Sequence, residues 1–552
     1  MNTYSICHNP EALVDRLRTL LCLIAVCLCP LFSQEVEDGD EREIQEASHI
    51  VETLFQLKPN LVLKQLNESQ SMRPALVVFF KAWSHHQLGD YTQAKELLSQ
   101  IKPEELPLDA MIQNRYRELK ATAETLMHFK VLETEHFSIR YQSGKDEIIS
   151  LFLPEVLERF YTYYTELFSF HQKEKVIVEV MPNHELFSYA CALTKQQIET
   201  TGTVALCVEN RLAMITPRRV LMGYDWANVL SHEFIHYILT KQSNNNAPLW
   251  FQEGVAKSLE KFWEKPNLKT LDRHLQHSLA LGFSENRLVT MKEMYPSFAA
   301  LPTPELAQRA YAQVASMVLY LMELQSLQVI PELSLELSQN PDLEELIAKR
   351  LGISFEQYQK NWRTWAEQQN YRIMPQYQAQ EMKLLEEDGQ AEELGKSQPE
   401  DDRIRKHSRL GDLLLERNRY RAALTEYRKS DEERKKKEAD APMNRQLLLR
   451  FLKCHRALEN DAAILKLLHE QIPDIEADST MLQYKAKALW RRGNPEEALY
   501  NLNLATRVNP FDPEIYRIMD AIATETKDFK LSQKVQTIYT IFNTVNKGVQ
   551  HD

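Results

Sequence analysis

Two stretches decide the predicted fold: Ser231-His232-Glu233-Phe234-Ile235-His236 and, after a break, Leu249-Trp250-Phe251-Gln252-Glu253-Gly254. Asp225 is a good capping residue for a helix that contains the first stretch. The run Asn244-Asn245-Asn246-Ala247-Pro248 separates the two stretches, since Asn and Pro interrupt helices. The sequence therefore predicts two consecutive helices, at about Trp226–Thr240 and Leu249–Trp263.

The two histidines of the first stretch are placed to bind one metal ion. Residues four apart on an α-helix share a face, so His232 and His236 can offer imidazole nitrogens to one Zn²⁺ at about 2.0–2.1 Å. Glu233, beside the first histidine, can hold a water molecule and take its proton as general base. Sixteen residues separate His236 from Glu253, which leaves room for the break and a return helix. Glu253 is therefore the predicted third ligand, and the fourth position stays open for water.

The residues around this motif leave some alternatives open. Glu260 lies two turns beyond Glu253, where it can orient a histidine ligand or simply be solvated. Gly254 permits close approach of a second helix. The ordinary alternative for the motif makes His232 and His236 polar residues on a buried helix. The helical context, the cap, the break and the second stretch together favour the metal site.

Together the two stretches resemble the gluzincin branch of the zinc metallopeptidases. Leu249-Trp250-Phe251-Gln252-Glu253-Gly254-Val255-Ala256 is similar to the W-x-x-E-G-x-A segment of the aminopeptidase and peptidase-MA-like groups. The resemblance spans about residues 130–370. It implies zinc ligands at His232, His236 and Glu253 and a general base at Glu233. It also implies a substrate-aligning edge strand near Leu212–Thr216, whose backbone would pair with an extended peptide.

The same resemblance suggests a further catalytic residue and shows two departures. Gluzincins use a Tyr or His to stabilise the tetrahedral oxyanion, and Tyr311 is the candidate because it opens a predicted helix downstream of Glu253. The alternative for Tyr311 is a packing role. The chain has no G-x-M-E-N-type segment, which puts exopeptidase activity in doubt. Lys257 stands where thermolysin-like enzymes carry an Asp.

The composition describes a long, mostly helical chain. Its 552 residues suggest three or four domains, at roughly 100–200 residues each. Hydrophobic residues make up 43%, and Gly is scarce, at 13. Residues that favour helices, such as Leu, Ala, Glu and Gln, are plentiful. The net charge of −12 argues against a general nucleic-acid binder.

Residues 1–34 resemble a secretory signal. Arg16 and Arg18 precede an apolar run, Leu20–Cys29, that is too short to span a bilayer comfortably. Cleavage near Ser33, lipidation of a cysteine in the run, and an uncleaved N-terminal anchor all remain open. The prediction is export to the periplasm or cell envelope of a bacterium, with membrane attachment possible through the N-terminus only.

The cysteines do not form a disulfide framework. Four of the seven lie in or before the apolar run, which leaves Cys191, Cys207 and Cys454. A Cys191–Cys207 bond and a pair of buried free thiols are both conceivable.

Residues 129–370 are predicted to form the α+β metallopeptidase domain. Alternating and β-branched runs predict three strands, with a long helix at about Ile148–His171 between the first two. Further apolar helices are predicted from Ala310 to about Leu327 and around Ile353–Trp365. The predicted strands are Thr134–Tyr141, Val176–Pro182 and Ala205–Pro217, the last centred on Leu212-Ala213-Met214-Ile215.

Helical repeats flank this domain. In residues 35–128, Ala82, Gly89, Tyr91 and Ala94 fit a tetratricopeptide repeat (TPR) or an ordinary helical hairpin. In the C-terminal region 404–552, the segment Ser479–Asp512 matches a 34-residue TPR with small, large and terminal-Pro positions. The segment 444–475 is a degenerate copy. The basic run Arg434–Lys437 is interpreted as a solvated helix face.

The acidic segment 371–403 is predicted to be a linker or an exposed charged helix. The predicted fold class is therefore predominantly α, with an α+β zincin-like metallopeptidase domain between helical TPR-type regions. The first functional hypothesis is an exported zinc metallopeptidase that cuts peptide or protein substrates, with repeats that recruit protein partners. The second is a cell-envelope TPR scaffold or assembly protein whose zinc domain is structural or weakly active.

Overall fold

A computed structural model describes most of the chain. It covers residues 38–548 apart from 57, 70, 108, 192–193, 209, 267, 296–297, 299–300, 375–381, 387–401, 438–442 and 472–477. The predicted export segment, residues 1–34, lies outside the described residues, as does the side chain of Cys191. Within the described part the protein is predominantly helical with one small mixed sheet, which confirms the coarse fold class.

The N-terminal region is a set of helices that pack in sequence order. Their bounds are α1 Asp38–Phe55, α2 Pro59–Glu68, α3 Pro74–Gln87, α4 Tyr91–Leu98 and α5 Ala110–Leu126. The predicted hairpin is present: α3 and α4 pack together, and Gly89 turns the chain between them with φ +74°. Prolines at the first turns of α2 and α3 suit helix starts, where the missing N–H is not needed.

The central region contains a five-stranded sheet in the order β1-β2-β3-β5-β4. Its strands are β1 Lys130–Glu133, β2 Phe137–Tyr141, β3 Val176–Met181, β4 Ala205–Val208 and β5 Arg211–Ile215. Strands β2, β3 and β5 run parallel, whereas β1 and β4 are antiparallel to their neighbours. The helices between these strands are α6 Glu147–Ser150, α7 Leu153–Phe168, α8 His184–Cys191 and α9 Lys195–Thr201.

The sheet corrects two predictions. The stretch predicted as one strand, Ala205–Pro217, is a hairpin of β4 and β5, because the chain reverses between Val208 and Arg211. The predicted substrate-aligning edge strand near Leu212–Thr216 is also wrong. Strand β5 lies between β3 and β4, so β4 forms that edge of the sheet. A continuous apolar run such as Leu212–Ile215 is typical of the sheet interior, and β5 is buried along its whole length.

Helices dominate the rest of the central region. They are α10 Trp226–Gln242, α11 Leu249–Leu259, α12 Arg273–Ser284, α13 Met291–Met294, α14 Pro304–Gln325, α15 Val329–Glu336, α16 Leu343–Leu351 and α17 Phe355–Gln368. One large core joins the sheet to these helices, and it also takes in Tyr91, Ala94 and Ala123 of the N-terminal region. Helix α14 begins earlier than predicted, at Pro304, so Tyr311 lies two turns inside it rather than at its start.

The C-terminal region consists of consecutive helix pairs. Its helices are α18 Asp402–Glu416, α19 Tyr420–Lys437, α20 Arg445–Ala457, α21 Asp461–Gln471, α22 Ser479–Arg491, α23 Pro495–Val508, α24 Pro513–Thr526 and α25 Phe529–Gly548. Within α22 and α23, the small residues Ala486, Ala498 and Ala505 are fully buried. Gly493 turns the chain between these two helices with φ +84°.

The predicted linker is ordered where it is described. Leu384 and Leu385 are buried, and Leu384 forms a β-bridge with Val220. Glu386 pairs with Lys195. Residues 382–386 are therefore neither an exposed helix nor a free linker, because two apolar side chains anchor them on the central region.

No single helix of the described residues meets both the length and the hydropathy requirements for crossing a bilayer. The bent pair Pro304–Gln325 and Val329–Glu336, with axes 105° apart, meets them only when the two are taken together.

A buried polar network joins the N-terminal helices to the back of the sheet. Arg211 Nε lies 3.1 Å from Glu179 Oε2, and both side chains are almost fully buried, at 1% and 0% exposed. Tyr91 donates its hydroxyl to Glu179. Arg211 also donates to Nδ1 of His86 at 2.9 Å. Burial first, and then the Arg211 charge, hold the pKa of His86 well below its ordinary value, so a neutral imidazole accepts this bond.

The C-terminal region is joined to the start of α10. Arg507 donates from Nη2 to both carboxylate oxygens of Asp225, at 2.9 and 2.8 Å, and it also pairs with Glu264. Trp226 Nε1 donates to the Thr506 carbonyl at 3.0 Å. The amide of Tyr224 donates to the Val508 carbonyl at 3.1 Å. These contacts fix the end of α23 against the cap of the helix that carries the two histidines.

Candidate metal centre

Helix α10 holds the two histidines as the sequence predicts. Asp225 caps the helix by accepting the Asn228 amide at 3.2 Å. The helix ends at the asparagine run, where Asn244 and Asn245 adopt positive φ values of 53° and 61°. Asn tolerates this left-handed backbone better than most residues, so the chain can reverse there into α11, which carries Glu253.

The predicted ligand atoms of His232, His236 and Glu253 come together. His232 Nε2 lies 3.1 Å from His236 Nε2. Glu253 Oε2 lies 3.4 Å from Nε2 of His232 and 3.5 Å from Nε2 of His236. The three side chains form a group that can hold a metal ion.

The size of this triangle matches a zinc ion. Tetrahedral ligands about 2.0–2.1 Å from Zn²⁺ are separated from one another by about 3.3–3.4 Å. The three measured edges lie on either side of that value. Glu253 Oε2 is buried and has no hydrogen-bond partner among the described residues. An unsatisfied carboxylate oxygen beside two imidazole nitrogens fits a bound cation, since such oxygens are otherwise costly to bury.

The charge around the triangle also favours a cation. Glu233, Glu253 and Glu260 are all buried, at 6%, 9% and 6% exposed. Burial would lower the pKa of His232, but the neighbouring carboxylates of Glu253, Glu260 and Glu233 outweigh it and raise the pKa to about 10. Burial raises the pKa of Glu253, yet the two histidines hold it well below the ordinary value. The carboxylates thus draw positive charge into the group, which a divalent cation would supply.

Glu233 lies at the edge of the sheet rather than among the ligands. Its Oε2 accepts the Cys207 backbone amide at 2.7 Å. Cys207 belongs to β4, the edge strand, whose open side therefore faces α10. Burial raises the pKa of Glu233, while the two histidines act in the opposite direction. The hydrogen bond from Cys207 in β4 fixes Oε2 of Glu233 and leaves Oε1 for a different partner.

Glu260 orients His232, which settles the alternative that the sequence leaves open. Its Oε2 lies 3.1 Å from His232 Nδ1, and Lys257 donates to its Oε1 at 2.8 Å. Burial raises the pKa of Glu260, but Lys257 and His232 together lower it to about 2. An acceptor at Nδ1 leaves Nε2 of His232 free to bind a metal ion, as is usual for metal-binding histidines.

Tyr311 lies near the group without bonding to it. Burial first, and then the charges of Glu253, Glu233 and Glu260, raise its pKa well above the ordinary value. Its ring packs edge-on against Phe298 at 4.9 Å. No described residue forms a hydrogen bond with its hydroxyl. The structure therefore places Tyr311 near the three carboxylates, and both of its predicted roles remain predictions.

Gly254 allows a close helix approach, and its partner is α14 rather than α10. A Cβ at this position would lie 2.7 Å from both the Val314 carbonyl oxygen and Val318 Cγ2. Ser258 donates to the Ala315 carbonyl at 3.0 Å in the same contact. Helix α11 is thus held between α10 and α14, which fixes the position of Glu253.

Comparison with known proteins does not identify a family. No protein-family model matches the chain, and a search of the curated proteins finds no match. The functional argument therefore rests on the residues of the group itself.

Two features of the site escaped the sequence reasoning. The family pattern marks Lys257 only as a departure, but the structure pairs Lys257 with Glu260. The two residues are three positions apart, a common spacing for ion pairs on a helix. The spacing of Lys257 and Glu260 in the sequence could therefore have predicted this ion pair. The bond from Cys207 to Glu233 had no local signal, because it joins a strand to a helix.

We expect Glu260→Gln to weaken zinc binding by about 10–100-fold, because the neutral amide is a poorer acceptor for His232 Nδ1. Competition against a zinc-responsive dye would measure the change. Glu305→Gln removes a carboxylate from an exposed position in the first turn of α14 and serves as the control. Equal zinc affinities for the two variants would show that Glu260 does not support His232.

Proposed function

We propose that this chain is a zinc metallopeptidase of the gluzincin type. The triangle of His232, His236 and Glu253 supports the proposal most directly, because its edges suit one tetrahedral zinc ion. Glu233 beside it supplies a carboxylate that is not needed as a ligand. The proposal includes the gluzincin family and a fold in which an α+β zincin-like domain, residues 129–370, lies between TPR-type regions.

Each residue of the group has a proposed role in peptide hydrolysis. A zinc ion would polarise the scissile carbonyl and lower the pKa of the attacking water. Glu233 accepts that water's proton as general base, with its carboxylate held by the Cys207 amide. Glu260 positions His232. Tyr311 is the proposed donor to the tetrahedral oxyanion.

The open edge of β4 is the proposed place for the substrate backbone. Among the described residues, Ala205–Val208 pair with β5 alone. An extended peptide can add to such an edge through main-chain hydrogen bonds. Because Cys207 in this strand contacts Glu233, a peptide bound there would lie beside the base.

The proposal also covers the cellular location of the protein and its binding partners. Residues 1–34 support export to the periplasm or cell envelope of a bacterium, with an N-terminal membrane attachment possible. The helix pairs at 402–548 support TPR-type repeats that recruit protein partners. Nucleic acid is not a proposed ligand.

Metal analysis tests the zinc site. We expect about one zinc ion per purified chain, and almost none in the double variant His232→Ala plus His236→Ala, because two of three ligands are lost. His171→Ala removes an exposed histidine and serves as the control. Elemental analysis by mass spectrometry would report the ratio. Full zinc retention in the double variant would place the metal elsewhere and exclude the proposed site.

The scaffold hypothesis predicts a different result. A structural or weakly active zinc domain would bind zinc through the same three ligands but would cut no peptide. Digestion of a mixed peptide library, with and without a chelator, distinguishes the peptidase hypothesis from the scaffold hypothesis. Zinc-dependent cleavage supports the peptidase, and its absence in a zinc-loaded chain supports the scaffold.

A further inference from the structure

The first helix pair of the C-terminal region carries a local excess of positive charge. Residues 402–437, which form α18 and α19, contain thirteen Lys and Arg against seven Asp and Glu. The whole chain has a net charge of −12. The pair is therefore a basic element in an acidic protein, and its cations divide into two groups.

The cations near the end of α19 are neutralised within their own helix. Lys435 Nζ lies 2.8 Å from Asp431 Oδ2, and Lys436 Nζ lies 2.5 Å from Glu433 Oε1. These partners are three or four residues apart, the usual spacing of helical ion pairs. Within the basic run, Lys435 and Lys436 thus form an exposed face with its own counter-charges.

The second group has no such counter-charges. It comprises five exposed cations on α18, in the turn after it and at the start of α19, and none forms an ion pair with any residue of the described chain: Lys406, Arg409, Arg417, Arg419 and Arg421. Asn418, in the middle of the turn, has a positive φ of 58°. Arg417 and Arg419 thus lie in the turn, and Arg421 follows in the first turn of α19.

Two leucines lie between these cations. Leu410 and Leu413 are 43% and 44% exposed, and at a spacing of three residues they share one face of α18. Lys406 and Arg417 lie on the same face, one on each side of the leucines. The opposite face packs on α19, where Gly411 lies too close to the Tyr427 ring to accept a Cβ. We call the two leucines and the five unpaired cations the basic stripe.

We propose that the basic stripe is a docking site for an acidic peptide segment of a partner protein, one that carries aliphatic side chains between its carboxylates. Carboxylates match the fork of a guanidinium group. Aliphatic side chains would cover Leu410 and Leu413. This site is separate from the zinc group and does not depend on the proposed peptidase activity.

The leucines distinguish this partner from other polyanions. A nucleic-acid backbone would satisfy the arginines but would gain nothing from two exposed leucines. A helix that lies on a membrane buries a broad apolar face, whereas this one offers two leucines. Alternating carboxylates and aliphatic groups therefore fit the stripe best.

Fluorescence anisotropy tests the proposal. The probe is a fluorescein-labelled peptide with Glu and Leu at helical spacing, added to the full chain carrying Glu233→Gln, so that the peptide stays intact. We expect saturable binding that weakens about tenfold in the triple variant R417Q/R419Q/R421Q, since three weak, exposed ion pairs are lost together. The double variant K435Q/K436Q, which removes two paired cations, should bind within about twofold of the parent.

Four outcomes would overturn the proposal. The first is no saturable binding of the acidic peptide. The second is equal weakening in the triple variant and its control. The third is stripe-dependent binding of phosphatidylglycerol vesicles or of an oligothymidylate in place of the peptide. The fourth is an unchanged affinity in the double variant Leu410→Ser plus Leu413→Ser, which should bind the peptide more weakly. Circular dichroism of each variant confirms that α18 and α19 stay folded.

Discussion

Glu233→Gln should lower peptide hydrolysis by about 10²–10⁴-fold while the chain keeps its zinc. The glutamine has the shape of the glutamate, and its side-chain oxygen can still accept the Cys207 amide. It cannot take a proton from water. The substitution therefore removes the proposed base without removing a ligand or the contact with β4. The measurement combines a peptide-library digest with elemental analysis of the same sample.

The paired measurement makes the result specific. Loss of activity together with loss of zinc would show that Glu233 supports the metal site and would leave its role as base unsupported. Activity equal to that of the parent chain would remove Glu233 as the base. A chelator added to the parent chain supplies the reference for zinc-dependent cleavage.

Arg211→Met should destabilise the protein by about 3–5 kcal/mol, the usual cost of breaking a buried ion pair from one side. The substitution removes the guanidinium from a Glu179 carboxylate that solvent does not reach. The native state must then bury that charge or protonate it. Urea denaturation followed by circular dichroism would measure the loss in the free energy of unfolding.

A surface pair provides the matched control. Arg287 lies 2.6 Å from Glu293, with the two side chains 44% and 40% exposed. Arg287→Met should cost about 0–1 kcal/mol. The double variant Arg211→Met plus Glu179→Leu should lose less than the single Arg211 variant, since a well-packed apolar pair can replace a buried ion pair. Equal losses for Arg211→Met and the control would mean that the network does not stabilise the fold.

The sequence predicts the local elements of the site because their signals are local. One helix and its two ends supply these signals: the cap at Asp225, the spacing of His232 and His236, and the break at 244–248. The prediction of Glu253 needed only the next helix. Strand β3 is also confirmed almost to its ends, since its β-branched run is short and stops at Pro182.

The sheet order was beyond the sequence reasoning. The apolar run at Leu212–Ile215 predicts a strand and favours the sheet interior, whereas the family resemblance implied an edge strand. The reversal between β4 and β5 is short and lacks an Asn-Gly or Asp-Gly signal. The buried pair of Arg211 and Glu179 was missed for the same reason, because its partners come from different strands.

The contact between Arg507 and Asp225 sets an order of assembly. The two residues are 282 positions apart in the chain, and the Trp226–Thr506 bond spans 280. Contacts of such separation form late, since the intervening chain must first be made and folded. The start of the helix that carries His232 and His236 therefore gains its contacts with α23 late, after residue 507 has been translated. Premature termination before that point would yield a chain that contains both histidines but lacks the contacts of α23 with Asp225 and Trp226.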